Sequence, residues 1–577
     1  MKKSTRFLVA LSLCLCILSI AVVVVFAVTN FSISTIGHVN FQIKNGVDAT
    51  ISGATLVDIK KTTGSGAMKS FTITRQMSEE DISDLDGYKS WQNIALEFEP
   101  YAEGKGKLCF EVKNNSKIAD RYVMVRISTS TDITSSMLAT PTADFCIAPG
   151  LTHNFMVYIA VQDPSNDVTL DDFGLTVELE LVTSQDVWNA DSDGSYAEGE
   201  YEMFFKYSTY DYTTEISQIE NCASDLVIPE MIYYNNKIYN VTSIADGATA
   251  NVCDNITSLS LPRTLTRIGS SAFSNCTNLD GHLIIPSSVE YLGSKAFYNC
   301  TTITGSIQLS PLMSRVNSET FMGCNEIVGG SGLVITRNIK YIDASAFAYC
   351  SSLERIIFRE GLITIGDCAF EGCASLESEL DLPKTLTRLG DSCFFECFMI
   401  GYDQPLVIPE NVTYIGPDAF NSCYALGGVR LPEGLTYIGD SAFSNCKNVC
   451  GELVLPTTLT YIGEYAFYLC PFDSGNLIIP EGITIINQYA FAETTFDSTL
   501  VLPSTIKTVD DYAFLGVGFD EIIIYAEEPP QLEQTPLTES CPIYVLDNCY
   551  SVYKNWRSND QIHKLSERGS VWYDVRY

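Results

Sequence analysis

The chain has 577 residues, 46% of them hydrophobic, so it can bury a large core and does not have the composition of a disordered chain. Its 70 acidic residues against 35 basic ones give a net charge of −35, which excludes nucleic acid as a partner because phosphates require a basic surface. This length predicts two or more domains, or one long repeat array.

Residues 1–29 have the pattern of a signal peptide or transmembrane anchor. Lys2, Lys3 and Arg6 precede an uncharged, mostly apolar run at residues 7–28. As an apolar helix this run would be ~33 Å long, enough to cross a hydrocarbon core of ~30 Å. The preceding positive charge places the rest of the chain outside, either tethered to the membrane or secreted after cleavage. We therefore expect an extracellular protein, at a bacterial cell surface.

Residues 30–187 contain short alternating segments and no repeat. The segments are HVNFQI, KLCFEV, YVMVRIS, NFMVYIAVQ and GLTVELELV. Turns rich in glycine, asparagine and aspartate separate them, which is typical of antiparallel strands. We predict an antiparallel β-sandwich domain here.

Residues 188–222 are acidic and are expected to form a linker. Within them, Asn189, Asp191, Asp193 and Glu200 match the spacing of a calcium-binding loop, with asparagine at the first position. Oxygen-bearing side chains around a glycine turn are the ligands that calcium prefers. The flanking residues are predicted to be extended, whereas such loops lie between helices, so calcium binding and a plain acidic linker remain alternatives.

One motif recurs along residues 223–526: an apolar stretch, a proline, an aliphatic residue often followed by glycine, then Ala-Phe and a cysteine. The phenylalanines recur every 23 to 26 residues, at Phe273, Phe297, Phe321, Phe347, Phe370, Phe394, Phe420, Phe443, Phe467, Phe491 and Phe514. A fixed period of this length indicates a solenoid, in which each unit buries its apolar side chains against its neighbours.

A regular unit, such as LVLPTTLTYIGEYAFYLC at residues 453–470, predicts the local structure. Leu453 and Leu455 alternate with Val454 as in a strand, which Pro456 ends. Tyr461 and Ile462 form a second extended piece, with the following glycine at a turn that tolerates positive φ. Residues 464–469 are expected to form a short helical turn that carries Ala-Phe inward. Where the proline is replaced by Thr336 or Arg359, or shifted to Pro311, we expect irregular units.

The cysteines follow the repeat. One stands three residues after most of the phenylalanines, where later units have Thr494 and Val517. Because threonine and valine replace it, the position favours buried, unpaired thiols over disulfides or metal ligands. Outside the repeat register, pairing of Cys109 with Cys146, or of Cys541 with Cys549, stays open.

Residues 527–577 predict a C-terminal cap, since a Pro-Pro step is followed by a strand and a short aromatic helix. Together with this exit segment, the units at 224–556 resemble the BspA-type leucine-rich repeats of bacterial and protist surface proteins, through their strand-Pro, Ile-Gly and Ala-Phe-x-x-Cys signatures. The resemblance implies a leucine-rich-repeat solenoid at a cell surface, used for adhesion or protein binding. It implies no catalytic site and no fixed ligand.

One row of side chains is predicted to face outward. It consists of the residues two positions before each proline or its replacement: Ile284, Val334, Ile357, Val407, Val454, Ile478 and Val501. An exposed apolar row on a sheet is a candidate binding face, although β-propensity alone also favours these residues.

The sequence therefore predicts a protein that binds a protein or glycoprotein ligand of a host or neighbouring cell, rather than an enzyme. It contains no GxSxG, HExxH or P-loop motif, and no cofactor is expected apart from the calcium alternative. A structural envelope scaffold without a dedicated ligand is the second interpretation.

Overall fold

The computed structural model describes the strands between residues 20 and 198, with few of their side chains. It also describes residues 201–568, except 210, 223, 236, 329–331, 378, 402–404, 497–498, 533–540, 555 and 557–561. The chain divides into two compact units. The first comprises residues 1–192, 208–213 and 231–240, and the second comprises 193–207, 214–230 and 241–577.

The first unit contains two separate sheets of mostly antiparallel strands. One sheet consists of Phe145–Ile147, Tyr122–Thr129, Phe173–Val182, Phe31–Lys44, Ile20–Val28 and Leu96–Phe98 in spatial order, with Tyr88–Trp91 and Asp84–Leu85 attached to Phe31–Lys44. The other consists of Met137–Thr140, Thr152–Val161, Lys105–Asn114, Ala49–Asp58 and Ser70–Ile73. The five alternating segments of the sequence all lie in these strands; the face-to-face packing of a sandwich stays a prediction.

The apolar run at the start of the chain differs from the predicted helix. Its second half, Ile20–Val28, is a strand paired antiparallel with Phe31–Lys44. Four consecutive valines lie in this segment, and their β-branched side chains favour an extended backbone. Residues 7–19 lie outside the described residues. In the part of the chain that the structure describes, no helix is long and apolar enough to span a membrane.

The residues expected to form a linker contain strands instead, at Trp188–Asn189, Ser195–Glu198, Tyr201–Ser208 and Thr213–Glu220. In the segment YEMFFKYS, Met203 and Phe205 are buried and the intervening Phe204 is half-buried. This is the pattern of a half-buried strand and agrees with the extended backbone expected beside the calcium-loop pattern.

The hairpin at Met231–Tyr234 and Lys237–Ile244 places Asn240 in the first unit. The buried amide of Asn240 accepts a hydrogen bond from Cys146 N at 2.9 Å and donates one to Cys146 O at 3.0 Å. The Asn240 side chain thus forms with the backbone of Cys146 the two hydrogen bonds that a neighbouring strand would otherwise form. Cys146 is a free thiol, so the pairing with Cys109 that the sequence left open does not form.

The second unit is the predicted solenoid, with two rows of parallel strands. The first strand row precedes the proline position: Asp225–Val227, Ser258–Ser260, Leu283–Ile284, Ile307–Gln308, Leu333–Ile335, Ile356–Phe358, Leu406–Val407, Val429–Arg430, Leu477–Ile478, Thr499–Leu502, Glu521–Ile524, Ile543–Val545 and Ile562–Lys564. The second strand row precedes the glycine position: Arg267–Ile268, Tyr291–Leu292, Arg315–Val316, Tyr341–Ile342, Thr364–Ile365, Arg388–Leu389, Tyr414–Ile415, Tyr437–Ile438, Tyr461–Ile462, Ile485–Ile486, Thr508–Val509 and Gln531–Leu532.

The repeat phenylalanines form one continuous column in the solenoid core. Consecutive rings from Phe273 to Phe514 are stacked, with centroids 5.2 to 5.8 Å apart. All are buried. Each ring between Phe273 and Phe514 therefore has a stacked partner on both faces because neighbouring coils repeat in register.

The thiols form a second column in the core, and they also donate hydrogen bonds to backbone carbonyls. Cys300 Sγ donates to Phe273 O of the preceding coil at 3.1 Å, and this contact recurs up to Cys470 with Phe443 O at 2.9 Å. The thiol is small enough for the core and supplies a weak donor to a buried carbonyl. The prediction of unpaired thiols is confirmed at Cys300, Cys324, Cys350, Cys373, Cys397, Cys423, Cys446 and Cys470.

Cys276 is the exception, since it forms a disulfide with Cys253. The prediction of a free thiol was wrong there because the irregular first coil carries Cys253 one residue beyond the position that matches Cys276, and the two Cα atoms lie 4.3 Å apart. Cys549 is a free thiol, so the bridge with Cys541 does not form.

The segment after each second-row strand is a series of turns rather than the predicted helical turn. In a regular coil, Tyr465 has φ 56° and Leu469 has φ 57°, and equivalent residues of other coils share this conformation. Two left-handed residues within five prevent a right-handed helix. The glycine of the motif, Gly463, is not among the positive-φ residues, which corrects the prediction for that position.

Gly463 is required by the close approach of the neighbouring coil. A Cβ there would lie 2.3 Å from Asp440 N. Asparagine occupies the equivalent position at Asn317 and Asn487. The second strand row is interrupted before each of these two coils. Between the interruptions, one seven-stranded sheet runs from Arg315–Val316 to Tyr461–Ile462. At these interruptions the asparagine Nδ2 donates to the preceding coil, at Leu292 O and Ile462 O.

The coils that lack the proline are more regular than predicted. Leu333–Ile335 and Ile356–Phe358 pair over three residues. Arg359, at the proline position, donates its N–H to Ile335 O at 3.1 Å, a bond that proline cannot form. Loss of the proline therefore extends the pairing.

The solenoid ends in a cap that includes the helix Tyr550–Tyr553. The buried hydroxyl of Tyr553 donates to Ala526 O and Glu528 O, both at 2.9 Å, and Trp556 Nε1 donates to Pro530 O at 3.2 Å. Short 3-10 helices lie at Cys253–Asn255 and Leu565–Glu567.

Candidate interaction surfaces

The apolar row predicted from the sequence is exposed in part. Ile284 and Val454 are 59% exposed and Val407 is 53% exposed. Val334, Ile357 and Ile478 are half-buried. Val501 is only 5% exposed, and its strand is buried at all four positions, so it is not available to a ligand.

Polar residues interrupt the apolar row. Ser260, Asp381 and Arg430 occupy the same outward position and are exposed. The row is therefore a series of separate apolar patches, and the two most exposed patches of the later coils, Val407 and Val454, lie on either side of Arg430.

Val407 lines a groove of about 790 Å³ between its own coil and residues 380–382 of the preceding coil. Asp381, Lys384, Glu410 and Arg430 also line it. Residues 380–382 form no strand, whereas Leu406–Val407 pairs with the following coil. The groove thus combines an apolar wall with charges of both signs, which suits a protein segment better than a purely apolar ligand.

The second strand row presents a different surface, rich in tyrosine. The rings of Tyr414, Tyr437 and Tyr461 stack with centroids 4.8 Å apart, and we call these three residues the tyrosine column. The guanidinium of Arg388 lies 4.1 Å from the centroid of Tyr414 and closes the column at its N-terminal end. Each side chain is partly exposed.

Carboxylates accompany the tyrosine column. The Tyr414 hydroxyl donates to Asp391 Oδ1 and that of Tyr461 to Asp440 Oδ1, both at 3.1 Å. Partial burial, followed by Asp440, raises the pKa of Tyr461 to about 12. The same two causes raise the pKa of Tyr437, and burial with Asp391 raises that of Tyr414. The phenols are therefore neutral donors at physiological pH.

Arginine and tyrosine form a repeated arrangement in the earlier coils. Arg267 lies 4.3 Å from the ring centroid of Tyr291 and pairs with Asp246 at 3.4 Å. Arg315 lies 4.4 Å from that of Tyr341 and pairs with Asp343. In each case a guanidinium contacts a ring and a carboxylate at once.

A second tyrosine group lies on the turns of the last coils. Tyr465, Tyr489 and Tyr512 stack with centroid distances of 4.7 and 5.1 Å, and Tyr468 contacts two of these rings edge-on. Equivalent positions of earlier coils carry serine, lysine, glutamate, aspartate or cysteine. The late coils are thus distinguished by aromatic surface on two faces.

The calcium alternative is not tested by the structure. Asn189 ends the strand Trp188–Asn189, and Asp191, Asp193 and Glu200 lie outside the described residues. Among the residues that are described, no group of three or more histidine, cysteine, aspartate or glutamate side chains is arranged to hold a metal ion.

The thiols of the core are poor candidates for catalysis. Burial raises the pKa of Cys373 to about 12 and raises that of Cys397 and Cys423 further. The thiolate is the nucleophilic form, and it is disfavoured in these positions.

Comparison with known proteins agrees with the repeat architecture. The model of the BspA type leucine rich repeat region matches residues 242–329, 281–401, 329–449 and 403–519. No curated protein matches the chain.

Among solved structures, a leucine rich cell surface protein from Faecalibacterium prausnitzii A2-165 is 24% identical over 57% of this chain and 95% of that chain, with a TM-score of 0.32. A leucine-rich repeat protein from Bacteroides ovatus is 20% identical over 56% and 99%, also with a TM-score of 0.32. The pneumococcal vaccine antigen PcpA is 18% identical over 64% and 96%, with a TM-score of 0.33. Because the family model coincides with the stacked coils, the repeat region at residues 242–519 belongs to the BspA-type leucine-rich repeat family.

Proposed function

We propose that the chain is an exported bacterial surface protein that binds a protein or glycoprotein ligand of a host or neighbouring cell through its repeat solenoid. The apolar run at residues 7–28 would direct export, and the protein would act on the extracellular side of the membrane or after secretion. The family of the repeats supports a surface role. The observation that carries the proposal is the exposure of Ile284, Val407 and Val454, each more than half accessible on the surface of the solenoid.

The test uses the full chain, immobilised and presented with matrix proteins, mucins and whole cells. We expect saturable binding, weakened at least about tenfold by Val407→Glu combined with Val454→Glu, because a charge placed in a desolvated contact is left unpaired. Val552→Glu is the matched control, since Val552 has the same 53% exposure as Val407 but lies on the cap helix.

Three outcomes are informative. Loss of binding in the double variant alone supports the apolar row as the ligand face. Binding that survives both changes removes the row from the proposal. Absence of saturable binding to every ligand and cell would favour the alternative, a structural envelope scaffold without a dedicated ligand.

A further inference from the structure

The first strand row is interrupted at several coils, and exposed members of the apolar row lie at these interruptions. Before the continuous sheet of the last coils, its strands pair two by two: Asp225–Val227 with Ser258–Ser260, Leu283–Ile284 with Ile307–Gln308, Leu333–Ile335 with Ile356–Phe358, and Leu406–Val407 with Val429–Arg430. Ile284 and Val407 lie on the first strand of a pair and are more than half exposed. Val501 lies inside the continuous sheet and is buried. The exposure of Ile284 and Val407 therefore accompanies an unpaired strand edge.

The strand Leu406–Val407 is paired on one side. Leu406 N donates to Gly428 O at 2.9 Å, and Ile408 N donates to Arg430 O at 3.0 Å, so both residues face the following coil. In a strand of a parallel sheet, the N–H and C=O groups of neighbouring residues point to opposite sides. The N–H and C=O of the intervening Val407 therefore point to the preceding coil.

The preceding coil supplies no partner for these groups. Its equivalent segment, residues 380–382, is not a strand, because Asp381 N donates within the segment to Glu379 O at 3.0 Å. Among the described residues, no main-chain hydrogen bond joins residues 380–382 to Val407. Val407 and residues 380–382 instead line the two walls of the groove of about 790 Å³. The edge of Leu406–Val407 is thus open to this groove.

The groove selects a polypeptide as its occupant. Unpaired N–H and C=O groups on a strand edge are matched by the main chain of another extended segment, whereas a lipid chain offers no such groups. The volume lies within the roughly 300–1,000 Å³ that is typical of binding pockets. Asp381 and Glu410 add negative charge to the lining, and Lys384 and Arg430 add positive charge, which suits polar side chains beside an extended main chain.

Two prolines limit the length of the open edge. Pro405 and Pro409 lie two residues before and after Val407 and have no N–H to donate. Within these three alternate positions, Val407 therefore carries the N–H that faces the groove. Such prolines protect an edge strand from extended pairing with other chains. Pairing here is confined to a short segment.

We propose that a short extended segment of the protein ligand enters this groove and pairs its main chain with Val407. The apolar side chain of Val407 and the wall formed by residues 380–382 enclose the segment, and the charges of the lining select its side chains. The inference rests on the proposed protein-binding function and specifies the form in which the ligand is bound.

The experiment selects peptides on the immobilised full chain from a displayed library of random nonapeptides. Fluorescein-labelled copies of the selected peptides are then titrated with the full chain by fluorescence polarisation. N-methylation of single peptide residues removes one main-chain donor at a time. We expect about tenfold weaker binding when the residue opposite Val407 is methylated, and little change at its two immediate neighbours, whose N–H groups point away from that strand edge.

Val407→Pro removes the N–H of the chain itself. A proline here alternates with Pro405 and Pro409, so we expect the variant to keep the thermal midpoint of the parent chain and to bind the peptides at least about tenfold more weakly. Val407→Ile keeps the N–H and should bind within about twofold. Val454→Pro is the matched control, since Val454 holds the same position two coils later, is 59% exposed and does not line the groove. If Val407→Pro lowers the thermal midpoint, the N-methyl series on the parent chain decides.

Peptides that bind the parent chain and Val407→Pro equally, or that tolerate N-methylation at every residue, would overturn the proposal. Failure to select any peptide that depends on Val407 would overturn it too. Self-association of the full chain that Val407→Pro abolishes would assign the groove to a second copy instead, and sedimentation at several concentrations detects it.

These failures are distinguishable from failure of the proposed function. A chain that loses cell binding when Val407→Glu and Val454→Glu are combined, but yields no peptide dependent on the N–H of Val407, lacks the strand pairing alone. A chain that binds peptides at Val407 but no matrix protein, mucin or cell retains the groove and fails the broader proposal.

Discussion

At the scale of single residues, the close packing of neighbouring coils determines which side chains fit at a position. Gly463 faces the backbone of the preceding coil so closely that any side chain would displace it. Asn487 fills the same position in the next coil, and the strand pairing is interrupted there. At Asn487 the side-chain amide donates to Ile462 O, whereas at Gly463 the backbone N–H donates to Ile438 O and the strands stay paired.

The close approach at Gly463 allows a prediction about the stability of the fold. Gly463→Ala should lower the free energy of unfolding by about 1–3 kcal/mol, because the new Cβ overlaps Asp440 N and the coils must separate. Urea denaturation followed by circular dichroism measures the change. Gly518→Ala is the control, since no atom lies within 4 Å of its Cβ position, and we expect no loss of stability there. An unaffected Gly463→Ala variant would contradict the close approach.

The buried thiols predict a fall in stability at alkaline pH. Burial raises the pKa of Cys373 from 9.0 to about 12, so the folded chain keeps this proton over a range in which the unfolded chain loses it. The stabilisation is complete below pH 9 and is lost as the pH rises towards 12. Tyr461, with its pKa raised to about 12, acts in the same direction.

We therefore expect the urea midpoint to decrease between pH 8.5 and pH 11. In parallel, a thiol reagent at pH 8 should modify the exposed Cys450 at once and the core thiols only after denaturation. A midpoint that stays constant or rises, or rapid modification of the core thiols in the folded chain, would be inconsistent with this account.

At the scale of the repeated element, the phenylalanine column is the largest shared contribution. Phe420 stacks on Phe394 and Phe443, with centroids 5.4 Å from each, and is buried. Phe420→Ala should cost about 3–5 kcal/mol, because it removes a ring and leaves a cavity between two others. Thermal denaturation measures this loss. Phe398→Ala is the control, since among the described residues Phe398 stacks on Tyr424 alone and is half-buried, and a smaller loss is expected there.

The elements that the sequence predicted well are those fixed by apolar periodicity. The inward Ala-Phe follows from the fixed period and is present. The strand before the proline position follows from alternation and is present in most coils, but residues 380–382 and the predicted strand at Leu453 to Leu455 are not strands, and the latter coil has only a bridge at Glu452. The helical turn after Gly463 was predicted wrongly because the left-handed conformations of Tyr465 and Leu469 belong to the stacked coil and not to their residue types. The same holds for the disulfide of Cys276, which depends on the distance between coils.

The candidate surfaces were predictable only in part. The apolar row was visible as a periodic position, but the burial of Val501 was not, because it depends on how the last strands pack. The tyrosine column was not predicted, although the sequence carries a signal for it, since tyrosine precedes the motif isoleucine at Tyr414, Tyr437 and Tyr461. Its partnership with Asp440 required the structure, because residues 21 positions apart meet only across neighbouring coils.

At the scale of the whole molecule, the two units differ in how much of their structure can be predicted from the sequence. In the solenoid each coil contacts its neighbours, so one regular unit predicts many others. In the first unit, strands distant in sequence pair, and the hairpin that carries Asn240 joins it from 94 residues beyond Cys146. Periodicity identifies such strands but not the strands with which they pair. Residues 188–222 were for this reason predicted to form a linker, although extended backbone was expected in part of them, and their strands belong to a sheet.

The interruption beside Asn487 has a mechanical consequence. Between the coils of Tyr461 and Ile485, the second strand row has no pairing and the first has a single bridge, Glu452 with Ser474, in the part of the chain described. Turn bonds such as Phe467 N to Ala490 O still connect these coils. Under a pull along the solenoid axis, this joint yields before its better-paired neighbours. Because this joint borders Tyr461, tension would first separate the tyrosine column from the coils that follow it.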